Sequence, residues 1–98
     1  MANNSNSDNL LPSPSGLTAS ALPERKIHIS FSGNNENGFE IWRRHGDTVD
    51  WYLHATTSEP DFEDADVKPG QYYEYKVRAV SGDAASEFSE SAVVYGVE

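Results

Sequence analysis

The 98-residue chain carries 16 acidic and 7 basic residues, a net charge of −9, and contains no cysteine. This charge argues against nucleic acid and anionic membranes as partners, because both require a surplus of lysine and arginine. The lack of cysteine excludes disulfide bonds and thiolate metal sites, and no apolar run approaches the about 20 residues that span a bilayer.

The first eleven residues are mostly Asn, Ser and Asp, a composition that cannot bury enough apolar surface to order the chain. We therefore predict a disordered linker remnant over residues 1–11 and one domain over residues 12–98. Residues 1–8 have neither the basic nor the apolar region of a signal peptide, so we expect a module from a longer protein. Alternation over residues 17–20 predicts a short first strand.

Alternating apolar residues predict two further strands, over residues 26–32 and 39–44, separated by a loop at residues 33–38. The inward positions are Ile27, Ile29 and Phe31 in the first of these strands and Phe39, Ile41 and Arg43 in the second. Trp42 then lies on the opposite, outward face of its strand.

Residues 50–56 predict another strand, but the pattern leaves its facing open. Either Trp51, Leu53 and Ala55 point inward, or Tyr52 replaces Trp51 at a β-bulge. The sequence Glu-Pro-Asp at residues 59–61 ends this strand, and Phe62 begins a short strand beyond it.

Residues 72–80 carry the most regular strand pattern in the chain, and the Pro69-Gly70 turn precedes them. The alternation separates a buried face of Tyr73, Tyr75, Val77 and Ala79 from an outward face of Tyr72, Glu74, Lys76 and Arg78. A loop at residues 81–85 and a last strand over residues 89–95 follow. The apolar contributors of that last strand are expected to be Ala92, Val94 and Tyr95.

These strands and turns, without a helical segment, predict an all-β protein. The pattern Val67-x-Pro69-Gly70-x-x-Tyr73-x-Tyr75-x-Val77 resembles a turn and strand of fibronectin type III domains, and the resemblance covers residues 12 to 97. It implies a seven-stranded, immunoglobulin-like Greek-key β-sandwich. It also implies that Tyr73 forms a tyrosine corner, its hydroxyl returning to the backbone upstream, where the carbonyls of the turn are the nearest partners. The expected structural residues are Phe31, Phe39, Ile41, Phe62, Pro69, Gly70, Tyr73, Tyr75 and Val77.

Two shorter segments, Phe39-x-Ile41-Trp42-Arg43 and Phe62-x-Asp64, are similar to fibronectin type III modules of secreted bacterial polysaccharide hydrolases. The likeness implies a non-catalytic spacer or scaffold between domains of a secreted or cell-surface bacterial protein, and a polysaccharide-degrading enzyme as that protein. The implied partners are the neighbouring domains of the same chain. The high negative charge favours a monomer.

No catalytic, cofactor-binding or metal-ligating residue is assigned. The chain lacks a cysteine nucleophile and a phosphate-binding glycine loop, and its three histidines fall in separate segments without shared metal spacing. The acidic run at residues 59–66 leaves two interpretations open. One is a calcium site, and the other is a solvated acidic edge in which Asp64 caps the turn.

Surface aromatic residues suggest an alternative function. Trp42 and Tyr72 are predicted on one outward face near Trp51 or Tyr52, where flat rings can stack on sugars. The competing interpretation is that Trp42 packs across the strands on the stem of Lys76 or Arg78. The alternative is thus a carbohydrate- or protein-binding module that uses Trp42, Trp51, Tyr52 and Tyr72, or the loops at residues 33–38 and 81–85.

Overall fold

The structure is a computed structural model that describes residues 11–34, 37–46 and 48–98. Its eight strands are β1 (Ser15–Leu22), β2 (Lys26–Ser32), β3 (Phe39–His45), β4 (Tyr52–Thr57), β5 (Asp61–Asp64), β6 (Tyr72–Ser81), β7 (Ala84–Ala85) and β8 (Ala92–Tyr95). No apolar helix among the described residues is long enough to span a bilayer. The predicted linker lies outside the described residues except for Leu11, which packs against the core.

Two antiparallel sheets form a sandwich, as predicted. One sheet has the order β1-β2-β5, and the other has the order β4-β3-β6-β7, with β8 also paired to β6. The described residues form eight strands instead of the predicted seven, because residues 84–85, predicted as loop, form a short ladder with Val80 and Ser81. Two residues of the predicted loop at 33–38, residues 35 and 36, lie outside the described part of the chain.

The core lies between the sheets, on the faces that the two-residue alternation predicts. Its buried members from β2, β3 and β6 are Ile27, Ile29, Phe31, Phe39, Ile41, Tyr73, Tyr75, Val77 and Ala79. The rings of Phe31 and Phe39 meet edge to face across the sandwich, with centroids 4.9 Å apart. Burying an aliphatic or aromatic side chain of this size contributes about 1.5–3 kcal/mol relative to leaving it exposed.

Strand β4 contains a bulge, which decides its facing. Ile41 pairs with Ala55 but Trp42 pairs with Leu53, so His54 is an extra residue between these pairs. Tyr52 consequently shares the inner side of the sheet with its partner Arg43, whereas Leu53 is 47% exposed. The alternative in which Trp51 and Leu53 point inward is therefore wrong.

The last strand is shorter than predicted, and one of its expected core residues is exposed. Val94 packs against the core, but Tyr95 is 59% exposed and pairs with Tyr72 on the outward face. Strict alternation gives the reason, because an inward Val94 requires Val93 and Tyr95 to point outward.

Tyr73 is fully buried, and its hydroxyl accepts a hydrogen bond from the backbone N–H of Lys68 at 2.7 Å. The side-chain amide of Gln71 donates to the same oxygen at 3.0 Å. The hydroxyl therefore does return to the turn, but its backbone partner is an amide N–H and not a carbonyl. Gly70 adopts a φ of 78° within this turn, in the left-handed region that glycine enters without strain.

Truncating Val77 to alanine is expected to cost about 2 kcal/mol or more, because Val77 is fully buried and the change leaves a cavity. The matched control is Val93→Ala, which removes the same atoms from a side chain that is 51% exposed and should change stability by less than about 0.5 kcal/mol. Urea denaturation measures both. Equal losses would contradict the assigned facing of β6 and β8.

Candidate functional site: an aromatic and cationic sheet face

The outward face of the five-stranded sheet collects most of the exposed aromatic residues that the sequence singled out. Because β3 and β6 pair in register, Glu40 lies opposite Arg78, Trp42 opposite Lys76, and Arg44 opposite Glu74. Trp51, just before β4, and Phe88, between β7 and β8, border these pairs on either side. We call the surface formed by Trp42, Arg44, Trp51, Lys76, Arg78 and Phe88 the cation–aromatic face.

Cations and rings alternate across this face. The ammonium of Lys76 lies 4.4 Å from the ring centroid of Trp51 and 4.0 Å from that of Phe88. The Arg44 guanidinium lies 4.6 Å from the Trp51 centroid, on the same ring that Lys76 contacts. Such contacts contribute roughly 0.5–1 kcal/mol each at exposed sites. Lys76, predicted on the outward face of its strand, is therefore part of a packed surface.

Trp42 is also covered by a cation. The Arg78 guanidinium lies 5.5 Å from its ring centroid, and the edge of Phe88 meets the ring at 5.7 Å. The indole N–H donates to Glu40 at 3.0 Å. These contacts confirm the predicted packing of Trp42 on a basic side chain of the neighbouring strand, with Arg78 as the residue.

Two carboxylates pair with the arginines of the face. Glu40 accepts hydrogen bonds from Trp42 Nε1 and from Arg78 Nε at 2.9 Å. Glu74 accepts from Arg44 Nε at 2.8 Å and from Ser91 Oγ at 2.6 Å. Although burial raises the pKa of Glu74, these hydrogen bonds hold it below its ordinary value. Both carboxylates are thus ionised partners of arginine.

The four predicted ligand-contact residues do not form one group. Trp42 and Trp51 belong to the cation–aromatic face, and Tyr72 continues it toward the end of β8, where its ring meets Tyr95 at 5.8 Å. Tyr52 lies on the other side of the sheet, where its hydroxyl accepts a hydrogen bond from Arg43 Nε at 2.6 Å. The β4 bulge causes this separation.

Phe88 belongs to the face but was missed by the sequence analysis. The amides of Ser86 and Ser89 donate to the carbonyls of Ala79 and Val77, at 2.9 and 2.8 Å, so this irregular segment follows β6. Phe88 therefore projects outward beside Lys76 and Arg78. No alternation marks residues 86–89, and the sequence offers no signal for this position.

A second polar group lies at the other side of the same sheet, in the core. Arg43 is 4% exposed and Asp64 is 1% exposed, and Arg43 Nη1 lies 2.7 Å from Asp64 Oδ2. The Tyr75 hydroxyl donates to the same oxygen at 2.6 Å, and His54 Nε2 lies 3.1 Å from Asp64 Oδ1. Because Arg43 comes from β3 and Asp64 from β5, this buried ion pair joins the two sheets.

The surroundings of Asp64 determine its charge and bear on the calcium interpretation. Burial alone raises the pKa of Asp64, but hydrogen bonds from His54, Tyr75 and the Asp66 N–H, with the charge of Arg43, hold it well below its usual range. The Asp66 N–H bond, at 3.0 Å, is the predicted turn cap. Both carboxylate oxygens are therefore engaged by protein groups. In the described parts of the chain, no three His, Asp or Glu side chains are placed to hold a metal ion.

No protein-family model matches the chain, and no curated protein matches it in sequence. Solved structures do match it in fold. A Clostridium thermocellum protein described as Fn3-like has a TM-score of 0.73 at 22% identity, over 87% of this chain and 92% of that one. The FN5 domain of Drosophila Lar has a TM-score of 0.74 at 19% identity, over 90% of this chain and 98% of that one.

Longer proteins also contain domains of this shape. The titin domains A168–A170 match with a TM-score of 0.78 at 12% identity. The match covers 91% of this chain but only 33% of the titin fragment, so the chain spans about a third of that fragment.

Proposed function

We propose that this chain, whose sandwich has the fibronectin type III fold, is a non-catalytic module that holds neighbouring domains of one protein at a fixed distance. The proposed parent is a secreted or cell-surface bacterial protein, with a polysaccharide-degrading enzyme as the preferred case. That part rests on the two short segments similar to modules of bacterial polysaccharide hydrolases. The match to the Clostridium thermocellum protein supports a bacterial setting.

The observation that carries the spacer role is the position of the two ends of the domain. Ser15, which begins β1, pairs with Ser32, the last residue of β2 before the loop at residues 33–38. At the end of that loop, the Gly38 carbonyl accepts a hydrogen bond from the N–H of Val80, near the end of β6. Tyr95, which ends β8, pairs with Tyr72 at the start of β6. The chain thus enters and leaves at opposite ends of β6, whose ten residues extend about 33 Å.

Both ends are fixed to the body of the sandwich. The Ser13 hydroxyl donates to the carbonyl of Glu87 at 2.7 Å. At the other end, the Gly70 N–H donates to the Gly96 carbonyl at 2.8 Å, and a Cβ on Gly96 would overlap the Lys68 carbonyl oxygen. A domain attached at either end would therefore be held in a defined position relative to the sandwich. Titin supports this arrangement, since its domains of this shape stand beside others in one chain.

Spin labels at the two ends test the spacer role directly, because the chain has no native cysteine. We expect a Ser15→Cys, Val97→Cys pair to give a narrow distance distribution near about 30 Å. The distribution should stay the same when a folded domain is fused to each end. A Ser15→Cys, Asn34→Cys pair is the control, because both of its labels lie at one end and should give a short distance.

A broad distribution for the first pair would overturn the spacer role. A distance that shortens when the flanking domains are added would also overturn it, because the module would then be deformed by its neighbours.

A second candidate function is binding at the cation–aromatic face. The observation that favours it is the concentration of Arg44, Lys76 and Arg78 on one surface of a strongly acidic chain.

A further inference from the structure

Lys76 differs from the two arginines beside it. Arg44 and Arg78 each pair with a carboxylate, Glu74 and Glu40 respectively. No carboxylate in the described ranges forms an ion pair with Lys76, whose ammonium lies between the rings of Trp51 and Phe88. Burial and then the charges of Arg44 and Arg78 lower the pKa of Lys76, and the opposing charge of Glu74 does not offset them.

The outward positions of β3 and β6 around Lys76 carry three cations and two carboxylates, an excess of one positive charge, whereas the whole chain carries −9. An anionic group is therefore repelled by most of the molecule and attracted here. Such a contrast orients an approaching partner and favours one docking surface.

The rings of this face are poorly placed to stack on sugars. Arg44 and Lys76 both lie over the ring of Trp51, and Arg78 lies over the ring of Trp42. A sugar that stacked on the face of either indole that a cation already covers would have to displace that cation from the ring. The chemistry that the face leaves unsatisfied is the positive charge of Lys76, and the group that satisfies it is an anion.

The pattern of charges favours one carboxylate over a polyanion. Along β6 the outward positions are Glu74, Lys76 and Arg78, about 6.6 Å apart, and Glu40 lies across from Arg78. A chain with an acidic group on every unit would bring further charges against Glu74 and Glu40. A partner that carries a single carboxylate can contact Lys76 without bringing a second negative charge close to Glu74 or Glu40.

The same side of the sheet also offers apolar contacts. Val93 and Tyr95 of β8 are 51% and 59% exposed, and they pair with Glu74 and Tyr72 on the outward face. Apolar side chains that flank a carboxylate in a protein segment could pack there while the carboxylate reaches Lys76.

We propose that the ammonium of Lys76, held between Trp51 and Phe88, binds a single carboxylate carried by an otherwise apolar segment of a partner protein. Arg44 and Arg78 support the site because their ion pairs with Glu74 and Glu40 leave neither carboxylate to pair with Lys76. This binding role rests on the second candidate function, for which it names the binding residue and the ligand, and it does not depend on the spacer function.

Nuclear magnetic resonance titration of the full chain tests the site with defined probes. The first probe is a short blocked peptide with one aspartate among valine, threonine and tyrosine residues, and the second has asparagine in place of that aspartate. We expect the aspartate peptide to shift the Trp51 indole N–H and the Lys76 side-chain signals in a saturable manner. The asparagine peptide should leave them unchanged.

Charge variants of the chain locate the effect. Lys76→Gln should weaken binding of the aspartate peptide about tenfold, the loss expected for one charge-assisted hydrogen bond. Lys76→Arg should stay within about threefold of the wild type because it keeps the cation. Lys26→Gln is the matched control, since it removes the same charge from β2 in the opposite sheet and should leave the affinity unchanged.

Several results would overturn the proposal. They are equal binding of the asparagine peptide, equal losses in Lys76→Gln and Lys26→Gln, and the absence of any saturable shift. A third probe, polygalacturonate, separates the two sources of carboxylate. Tighter binding of this polyuronate than of the aspartate peptide would assign the face to an acidic polysaccharide instead of a protein.

Discussion

Asp64→Ala is expected to destabilise the domain by about 3–5 kcal/mol, because it leaves the buried charge of Arg43 with only the exposed carboxylate of Asp66 as an ionic partner. Asp64 is 1% exposed, and Arg43, Tyr75 and His54 all contact its carboxylate. A domain of ordinary stability has about 5–15 kcal/mol in total, so this one substitution removes a large share. Urea denaturation at neutral pH measures the loss.

Two further variants test the cause. Asp61→Ala removes an exposed carboxylate from the same strand, β5, and should change stability by less than about 0.5 kcal/mol. Arg43→Met combined with Asp64→Ala should cost about 1–3 kcal/mol less than the sum of the two single changes, because neither charge is then stranded. Additive losses would show that the two residues act separately.

The sequence predicted the strands and their facing wherever the alternation is unbroken. In β2, β3 and β6 every second residue enters the core, and Arg43 was placed inward by that rule alone. The alternation could not name the partner of Arg43, because Asp64 lies 21 residues away and in the other sheet. Ion pairs between sheets depend on how the layers stack, and a local period carries no information about stacking.

Single-residue irregularities limited the rest of the prediction. The extra residue in β4 turns both Tyr52 and His54 toward Arg43 and Asp64, which separates Tyr52 from Trp42 and Trp51. A bulge is a change of register between two strands. The sequence of one strand can therefore be compatible with a bulge but cannot show that one forms.

The cation–aromatic face was predicted in its outline but not in its composition. The β3 and β6 positions followed from alternation and from the resemblance to fibronectin type III domains, which pair these strands. Phe88 could not be assigned, because its position depends on backbone hydrogen bonds that residues 86 and 89 make to β6. The absence of an ion pair between Lys76 and a carboxylate likewise depends on how the charged residues of β3 and β6 pair with each other.

Acid is expected to weaken the wild type more than an Asp64→Asn variant. The folded state holds the pKa of Asp64 well below the value of about 3.9 that an aspartate has in an unfolded chain. Between these two values the unfolded chain binds more protons than the folded one, so stability falls as the pH falls. The contribution of Asp64 is therefore complete above about pH 5 and is lost progressively below about pH 4.

Chemical denaturation of the two proteins at intervals from neutral to acidic pH separates this effect from the other carboxylates. At neutral pH we expect the wild type to exceed Asp64→Asn by about 3 kcal/mol, the order of a broken buried ion pair. That difference should shrink steadily below about pH 4, because protonation removes from the wild type the charge that the variant already lacks. A constant difference across the acid range would mean that Arg43, Tyr75 and His54 do not depend on an ionised Asp64. The charge of Asp64 would then contribute nothing to holding β5 against β3 and β4 of the other sheet.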